Sequence, residues 1–375
     1  MSGIHLSKEK PRKRSSNARL NPFLNSLQSL PRLDRINYRY NAVSLFSGGG
    51  GLDLGASFAG FQVAFASDLE PEHCNTIAHN FPECVTLPID VQELTGALVR
   101  TKTGVRAFDL LAGGPPCQAF SILGKRNSFQ DPRGKLVYEY ARLVTELRPR
   151  AFVFENVPGI QTLNKGRDWQ ELLKYFEDET GYRLFTGRLN SADFGLAQIR
   201  KRVFIVGFRE RGARFTFPEP THMSPEESQQ PVLQGVLEEK SLWLPSRFAL
   251  EKVDGTPNHR IRPHGERVRN RYSKMPPGGR DRIDHTDRIH PDRPSGTVLV
   301  GSRAGGGRPH IHPCEPRHIT VREAARLQSF PDWYVFQNTE TWQYRAVGNA
   351  VPPLLAKAVC ASVADALDRL GSKKK

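Results

Sequence analysis

From residue 42 onward the chain alternates short apolar runs with polar or Gly-rich turns and helix-like stretches. No other feature restricts its fold as much. The runs are AVSLF (42–46), FQVAFAS (61–67), CVTLPID (84–90), FDLLAGG (108–114), AFVFENV (151–157), YRLFTGRLN (182–190) and RVFIVGF (202–208). Strands alternating with helices predict an α/β fold, a parallel sheet with helices on both faces. Between about 209 and 290 the alternation breaks down and Pro, Gly, Arg and His dominate, which predicts a second, smaller and irregular region. The texture partly returns with the strand-like SGTVLVGS and with TVREAARLQSF (320–330), a helix for which Thr320 and Glu323 offer a capping box. The last helix is PPLLAKAVCASVADALDRL, with prolines at its start.

Lys and Arg number 54 against 39 Asp and Glu, a net charge of +15. That balance favours a polyanionic partner, nucleic acid above all, although a merely basic soluble protein is an open reading. Residues 1–40 read as a basic, disordered arm, with Lys8, Lys10, Arg12, Lys13, Arg14 and Arg19 set among Ser, Asn and Pro. Nucleic-acid contact and an idle solvated tail both fit it. Of the five cysteines (Cys74, Cys84, Cys117, Cys314 and Cys360) none forms a C-x-x-C pair, so neither a zinc finger nor a disulfide framework is expected and no metal site is predicted. Free thiols suit a reducing cytoplasm. No apolar run is long enough to span a membrane, and the N-terminus lacks the apolar stretch of a secretory signal.

In an open parallel sheet, ligands bind beyond the carboxyl ends of the strands. The first run ends in LFSGGGGLDLG, where glycines permit tight turning and close approach of backbone to ligand. It lacks the Lys-Ser/Thr of a P-loop and a clean G-x-G-x-x-G register, and alone it is equally well a structural turn. The second run ends at Asp68, placed to take the hydroxyls of an adenosine ribose, and the third at Asp90, placed to accept an adenine amino group with Val91 packing on the ring. Each acid alone is as readily a helix cap. In order, the three fit a nucleoside cofactor without a pyrophosphate, so S-adenosylmethionine is favoured over NAD.

The fourth run ends in GGPPCQAFS and the fifth in FENV. A lone cysteine is usually an inert core residue, but Cys117 follows a rigid Gly-Gly-Pro-Pro turn at a strand's carboxyl end, where a thiolate suits covalent catalysis. Glu155 closes an apolar run at the same edge, where a carboxylate is costly to bury without a partner or a task; a cap or salt bridge is the plain alternative.

These segments together resemble the DNA cytosine-5 methyltransferases. The resemblance continues through QIRKRVFIVGFR (198–209), RPSGTV (293–298), RHITVREAARLQSFP (317–331) and QYRAVGNAVPP (343–353), in order, and covers nearly everything from residue 42 to about 366. It implies a Rossmann-like class I methyltransferase sheet in a catalytic, adenosylmethionine-binding domain over 41–209, a target-recognition region over 210–290, and remaining motifs over 291–375 with the C-terminal helix returning to the catalytic domain. It implies that Cys117 attacks position 6 of a cytosine flipped out of duplex DNA. Glu155 then holds the exocyclic amine and protonates ring nitrogen 3, Arg202 helps hold the base, and Arg200 supports the site through phosphate or structural contacts. Phe46, Gly48, Gly50, Asp68, Leu69, Asp90, Val91, Pro116, Leu136 and Asn349 are the implied cofactor residues. The loop 121–133 is expected to close over the DNA. A monomeric bacterial enzyme of a restriction-modification system is expected, acting in the cytoplasm beside a cognate restriction endonuclease. A tRNA cytosine methyltransferase, a catalytically silent DNA-binding relative and a dinucleotide oxidoreductase are the competing readings. The first lacks its usual Cys-Phe-Thr segment here, and the other two leave Cys117 and Glu155 without a purpose.

Overall fold

A computed structural model of the chain describes residues 21–116, 135–229, 240–298 and 309–372. Seven strands form the main sheet: β1 (Tyr40–Leu45), β2 (Phe61–Asp68), β3 (Val85–Pro88), β4 (Leu110–Gly113), β5 (Ala151–Asn156), β6 (Arg183–Asn190) and β7 (Lys201–Phe208). They lie in the order β3-β2-β1-β4-β5-β7-β6. β1 to β5 are mutually parallel, whereas β7 runs antiparallel to both β5 and β6. The expectation of a parallel sheet is therefore corrected at β7. The helix Arg167–Thr180 returns the chain to lay β6 parallel to β5, but β6 and β7 are joined by a short 3-10 connection with no room for a crossover helix.

Every residue of β4 and β5 is buried, as expected of central strands covered on both faces, while β6 alternates exposed and half-buried positions at the sheet edge. The pleat sorts the side chains into two cores. Val43, Leu45, Leu111, Phe152 and Phe154 face the helices Gly96–Thr103, Lys135–Leu147 and Arg167–Thr180. Ala42, Leu110, Val153, Phe204 and Val206 face the helix Gly51–Phe58 and the C-terminal helix Pro353–Ser372. From β1 the chain first winds toward β3, then restarts at β4 on the other side. The switch point therefore lies between the carboxyl ends of β1 and β4, where a ligand crevice forms in such sheets.

A third core joins the rest of the chain to the flank of this sheet. Leu54, Val63, Ala66 and Ile77 pack with Ala249, Ile289, Val298, Val321, Leu327 and Tyr334. The irregular region thus shares its apolar core with the sheet. Buried arginines hold its loops where secondary structure is sparse. Arg322 donates to the carbonyls of Pro257, Pro331 and Tyr334, and Arg326 pairs with Asp332 and donates to the carbonyls of Glu251 and Lys252. The expected capping box of Thr320 and Glu323 is present. The strand expected from SGTVLVGS is not formed over the described part, where Ser295 makes an isolated bridge to Gln198; the segment beyond Val298 lies outside the described residues. Among the described residues no single helix is long and apolar enough to cross a membrane.

Part of the expected arm, from Asn21 onward, packs on the fold. Asn21 caps a helix Pro22–Gln28, and its amide also donates to the Phe248 carbonyl and to Glu251. Phe23, Leu24, Leu27 and Leu30 are buried in the third core, and this apolar payload outweighs the basic composition of the residues before it. Deleting residues 1–20 is expected to leave the denaturation midpoint unchanged. Phe23→Ala should lower unfolding free energy by about 3–5 kcal/mol, read by chemical denaturation.

Candidate active site

β1 delivers the chain into a turn of mostly left-handed geometry: φ is +55° at Phe46, +53° at Gly48 and +77° at Gly50. The glycines serve different purposes. A Cβ at Gly49 would lie 2.2 Å from the Ala346 carbonyl oxygen, and one at Gly51 would lie 2.0 Å from that of Val351, so both exist to let two C-terminal segments pack close. Gly50 is likewise buried against Tyr334, whose hydroxyl donates to the Gly49 carbonyl. A Cβ at Gly48 would meet nothing nearer than 4.0 Å. Of the two expected cofactor glycines, Gly48 borders open space and Gly50 is packing.

The neighbouring strand end carries Asp68. One carboxylate oxygen accepts from the Gly48 N–H at 2.9 Å; the other accepts from the Glu70 N–H and faces His73 Nδ1, each at 3.0 Å. Burial alone would raise its pKa, but His73 and the two N–H groups outweigh burial and hold it below the usual carboxylate range. Leu69, next in the chain, is 60% exposed. Beyond β3, Asp90 accepts from the Gln92 N–H and Val91 is buried. Because β3, β2 and β1 are adjacent, Asp90, Asp68 and Gly48 line one side of the switch point. Pro116 is exposed beyond β4, Leu136 is half-buried at the start of its helix, and Asn349 is exposed at the end of the helix Glu340–Asn349.

On the other side of the switch point β5 ends in Glu155, buried, with Arg202 Nε 2.8 Å from its Oε1. The antiparallel register of β7 makes this contact, because it sets Phe204 opposite Glu155 and Val203 opposite Asn156, bringing the start of β7 to the end of β5. Burial raises the Glu155 pKa, opposed by the charges of Arg202 and Arg200. The other oxygen, Oε2, rests against the turn after β4, where a Cβ on Gly114 would lie only 2.6 Å away. Asn156 fastens the same turn by donating to the Pro115 carbonyl at 3.0 Å. That turn leads directly to Cys117. Cys117 itself and the loop 121–133 lie outside the described residues. Burial pushes the thiols of Cys74, Cys84 and Cys360 up to about 12, which makes them inert at neutral pH.

Arg200 has a different setting from Arg202. It is 2% exposed and donates to the carbonyls of Val298 and Gly348, the latter beside Asn349. Burial, then the neighbouring Arg202 charge, pushes its pKa well below the ordinary arginine value. The contacts to Val298 and Gly348 are structural ones. Gln198, which the sequence did not single out, completes the same junction. Its amide donates to the Leu327 carbonyl and to Gln328, and its oxygen accepts from the Val298 N–H. Gln198 and Arg200 thus tie together the four distant segments that carry the later resemblance.

The C-5 cytosine-specific DNA methylase family model matches residues 40–365. The Type II methyltransferase M.XorII of Xanthomonas oryzae pv. oryzae is 35% identical over 368 residues, which cover 88% of this chain and 86% of the relative. M1.HphI of Haemophilus parahaemolyticus, another Type II methyltransferase, is 36% identical over 341 residues, covering 86% of each. Among solved structures, a protein encoded within an E. coli prophage aligns with a TM-score of 0.70 at 26% identity, over 88% of this chain and all of that one. The S. pombe Dnmt2 methyltransferase aligns at a TM-score of 0.60 and 20% identity over 88% of this chain and 99% of its own, a likeness of fold alone.

A second carboxyl escaped the sequence reading. Asp53, behind the glycine turn, is buried, and neither of its oxygens has a well-formed hydrogen bond among the described residues. Burial pushes its pKa up to about 6, against the weaker pull of the nearby Ser44 and Ser47. Because the folded value exceeds the ordinary 3.8, ionisation costs the fold stability as pH rises between those two values. Asp53→Asn removes that cost. Its stability gain over the parent chain should grow through this interval and level off above it at about 2 to 3 kcal/mol, measured by denaturation across pH.

Proposed function

The chain belongs to the C-5 cytosine-specific DNA methylase family, and on that premise we propose how its residues divide the work of methylating a cytosine in duplex DNA. The observation that carries the reading is the buried Glu155, held between Arg202 and the Gly114 peptide three residues before Cys117. An aromatic carbon resists methylation until a nucleophile adds to the ring, and that addition needs an acid to receive the displaced charge. The Cys117 thiolate adds to position 6 of the cytosine. Glu155, whose raised pKa lets it hold a proton nearer neutrality, protonates ring nitrogen 3 and accepts from the exocyclic amine. The electron pair gathers at position 5, which takes the methyl group; loss of the position-5 proton to a base then breaks the bond to sulfur, restores the thiolate and returns the nitrogen-3 proton to Glu155. Arg202 orients Glu155 and reaches the extruded base, and Arg200 holds the junction behind it. Extrusion from the stack costs a few kcal/mol, which contacts of this kind offset.

S-adenosylmethionine supplies, when bound, a methyl group activated on a sulfonium. The residues suit it: an ionised Asp68 to accept from a ribose hydroxyl, Gly48 with its open side, the exposed Leu69 to cover the adenine, and Asp90 to accept its amino group. Phe46, Val91, Pro116, Leu136 and Asn349 complete the set, with Gly50 shaping the turn from behind.

The region 210–290 would recognise the target. Its helix Glu266–Ser273 is pinned from within: Arg271 pairs with Asp281 and Asp284, and the Tyr272 hydroxyl donates to Asp284. Its outer surface carries Arg267, Arg269, Asn270 and Lys274, all exposed, a rigid basic face suited to phosphates and base edges. A bacterial cytoplasmic monomer working beside a restriction endonuclease fits this reading, as do the Type II relatives.

Methyl incorporation into duplex DNA and into tRNA, compared under one set of conditions, tests the assignment; transfer to tRNA alone would overturn it. Cys117→Ser should abolish turnover with cofactor affinity nearly intact, and Glu155→Gln should slow chemistry by about 100-fold or more while leaving DNA affinity within a few-fold. Replacing Arg267, Arg269 and Lys274 together by Ala should flatten the dependence of log affinity on log salt by about 2 to 3, measured by DNA titration at several salt concentrations.

A further inference from the structure

His73 has no part in the chemistry above, yet it is buried and aimed at the cofactor side of the site. It lies in the first turn of the helix Pro71–Asn80, which folds its imidazole back over the end of β2. There Nδ1 sits 3.0 Å from Asp68 Oδ1. Asp68 is held ionised and can only accept, so Nδ1 carries the proton and donates. The opposite nitrogen, Nε2, is buried without a hydrogen-bond partner among the described residues. The ring also stands edge-to-face with Trp342 at 5.8 Å, and the Arg345 guanidinium covers that indole at 4.6 Å. Trp342 and Arg345 belong to the helix that ends at Asn349. One imidazole thus touches two of the elements that carry expected cofactor residues.

The lone pairs of Asp68 show what this contact does. An ionised carboxylate offers about four acceptor positions. Among the described residues Gly48, Glu70 and His73 fill three, which leaves one for a ligand. With two backbone N–H groups fixed by the turn and by the helix start, His73 is, among the described residues, the side chain that sets the carboxylate plane, and with it the direction of the free position.

We infer that His73 is a positioning residue for cofactor binding, donating from Nδ1 to fix Asp68 so that its remaining acceptor faces the ribose of S-adenosylmethionine. This rests on the proposed role of Asp68 and extends it to a residue outside the expected site. His73 touches neither cofactor nor DNA; it acts through the carboxylate.

The test uses the full chain and calorimetric binding of S-adenosylhomocysteine. His73→Phe keeps a ring against Trp342 but cannot donate; His73→Asn places an amide N–H near the position of Nδ1. The expected result is affinity weakened about tenfold in His73→Phe and restored to within about threefold of the parent chain in His73→Asn, the scale of a hydrogen bond to a charged group. In turnover the same loss should appear in KM for S-adenosylmethionine, with kcat and DNA affinity held. Parent-like affinity in His73→Phe would overturn the inference. So would equal losses in both variants with matching melting temperatures, which would make His73 packing alone. Asp68→Ala serves as the control. If it binds S-adenosylhomocysteine as the parent does, the role of Asp68 itself fails; if it loses affinity while His73→Phe does not, only the inference about His73 fails.

Discussion

A carboxyl group buried at the end of a central strand is the constraint around which the catalytic edge is built. Glu155 has given up most of its water, and a charge so placed is stable only with a partner of good geometry. Arg202 is that partner on one side. On the other, the peptide of Gly114 comes so close that no side chain fits there, and Asn156 ties the next carbonyl down. The same contacts that hold the acid therefore set the course of the chain toward Cys117. Burial and pairing act in opposite senses on the proton. Burial wins, so the group keeps a proton to higher pH than an ordinary glutamate does.

The reversal of β7 makes this possible. Running antiparallel to β5, it carries Arg202 to the carboxyl edge of the sheet; a parallel seventh strand in that place would have presented its other end. Arg200 and Gln198, just before it, face the opposite way in role. They saturate carbonyls and an N–H on segments that come together only in the folded chain, and so hold residues 295–298 and the helix before Asn349 against the sheet. Alternate positions of one short stretch thus divide between touching the acid and bracing the wall behind it.

Much of this was legible in the chain itself. All seven strands of the main sheet follow apolar runs, and Asp68 and Glu155 sit where two of those runs stop, because a parallel sheet gathers its loops at one edge. Strand direction was not legible, since an apolar run reads the same both ways; only the length of the β6–β7 connection hints at it. Arg200 carries a supporting role only by resemblance and Gln198 stands only as part of its segment, because their partners lie 98 to 148 residues away, beyond the reach of any local pattern. Asp53 reads as an ordinary first-turn acid of a helix, and His73 as a routine helix residue, until burial is known. The start of the fold was misplaced for a different reason: basic composition in residues 1–20 masked a clear Asn-Pro helix start at Asn21 and the apolar spacing of Phe23, Leu24 and Leu27.

Covalent capture tests the central claim, that one thiol and one buried acid meet over a single cytosine. A duplex that the enzyme methylates is remade with 5-fluorocytosine at the target position, incubated with enzyme and S-adenosylmethionine, digested, and the cross-linked peptide sequenced by mass spectrometry. Fluorine in place of the departing proton stalls release, so the account predicts a stable adduct on the peptide containing Cys117. An adduct on another residue, or none from an enzyme that methylates the unmodified duplex, would contradict it.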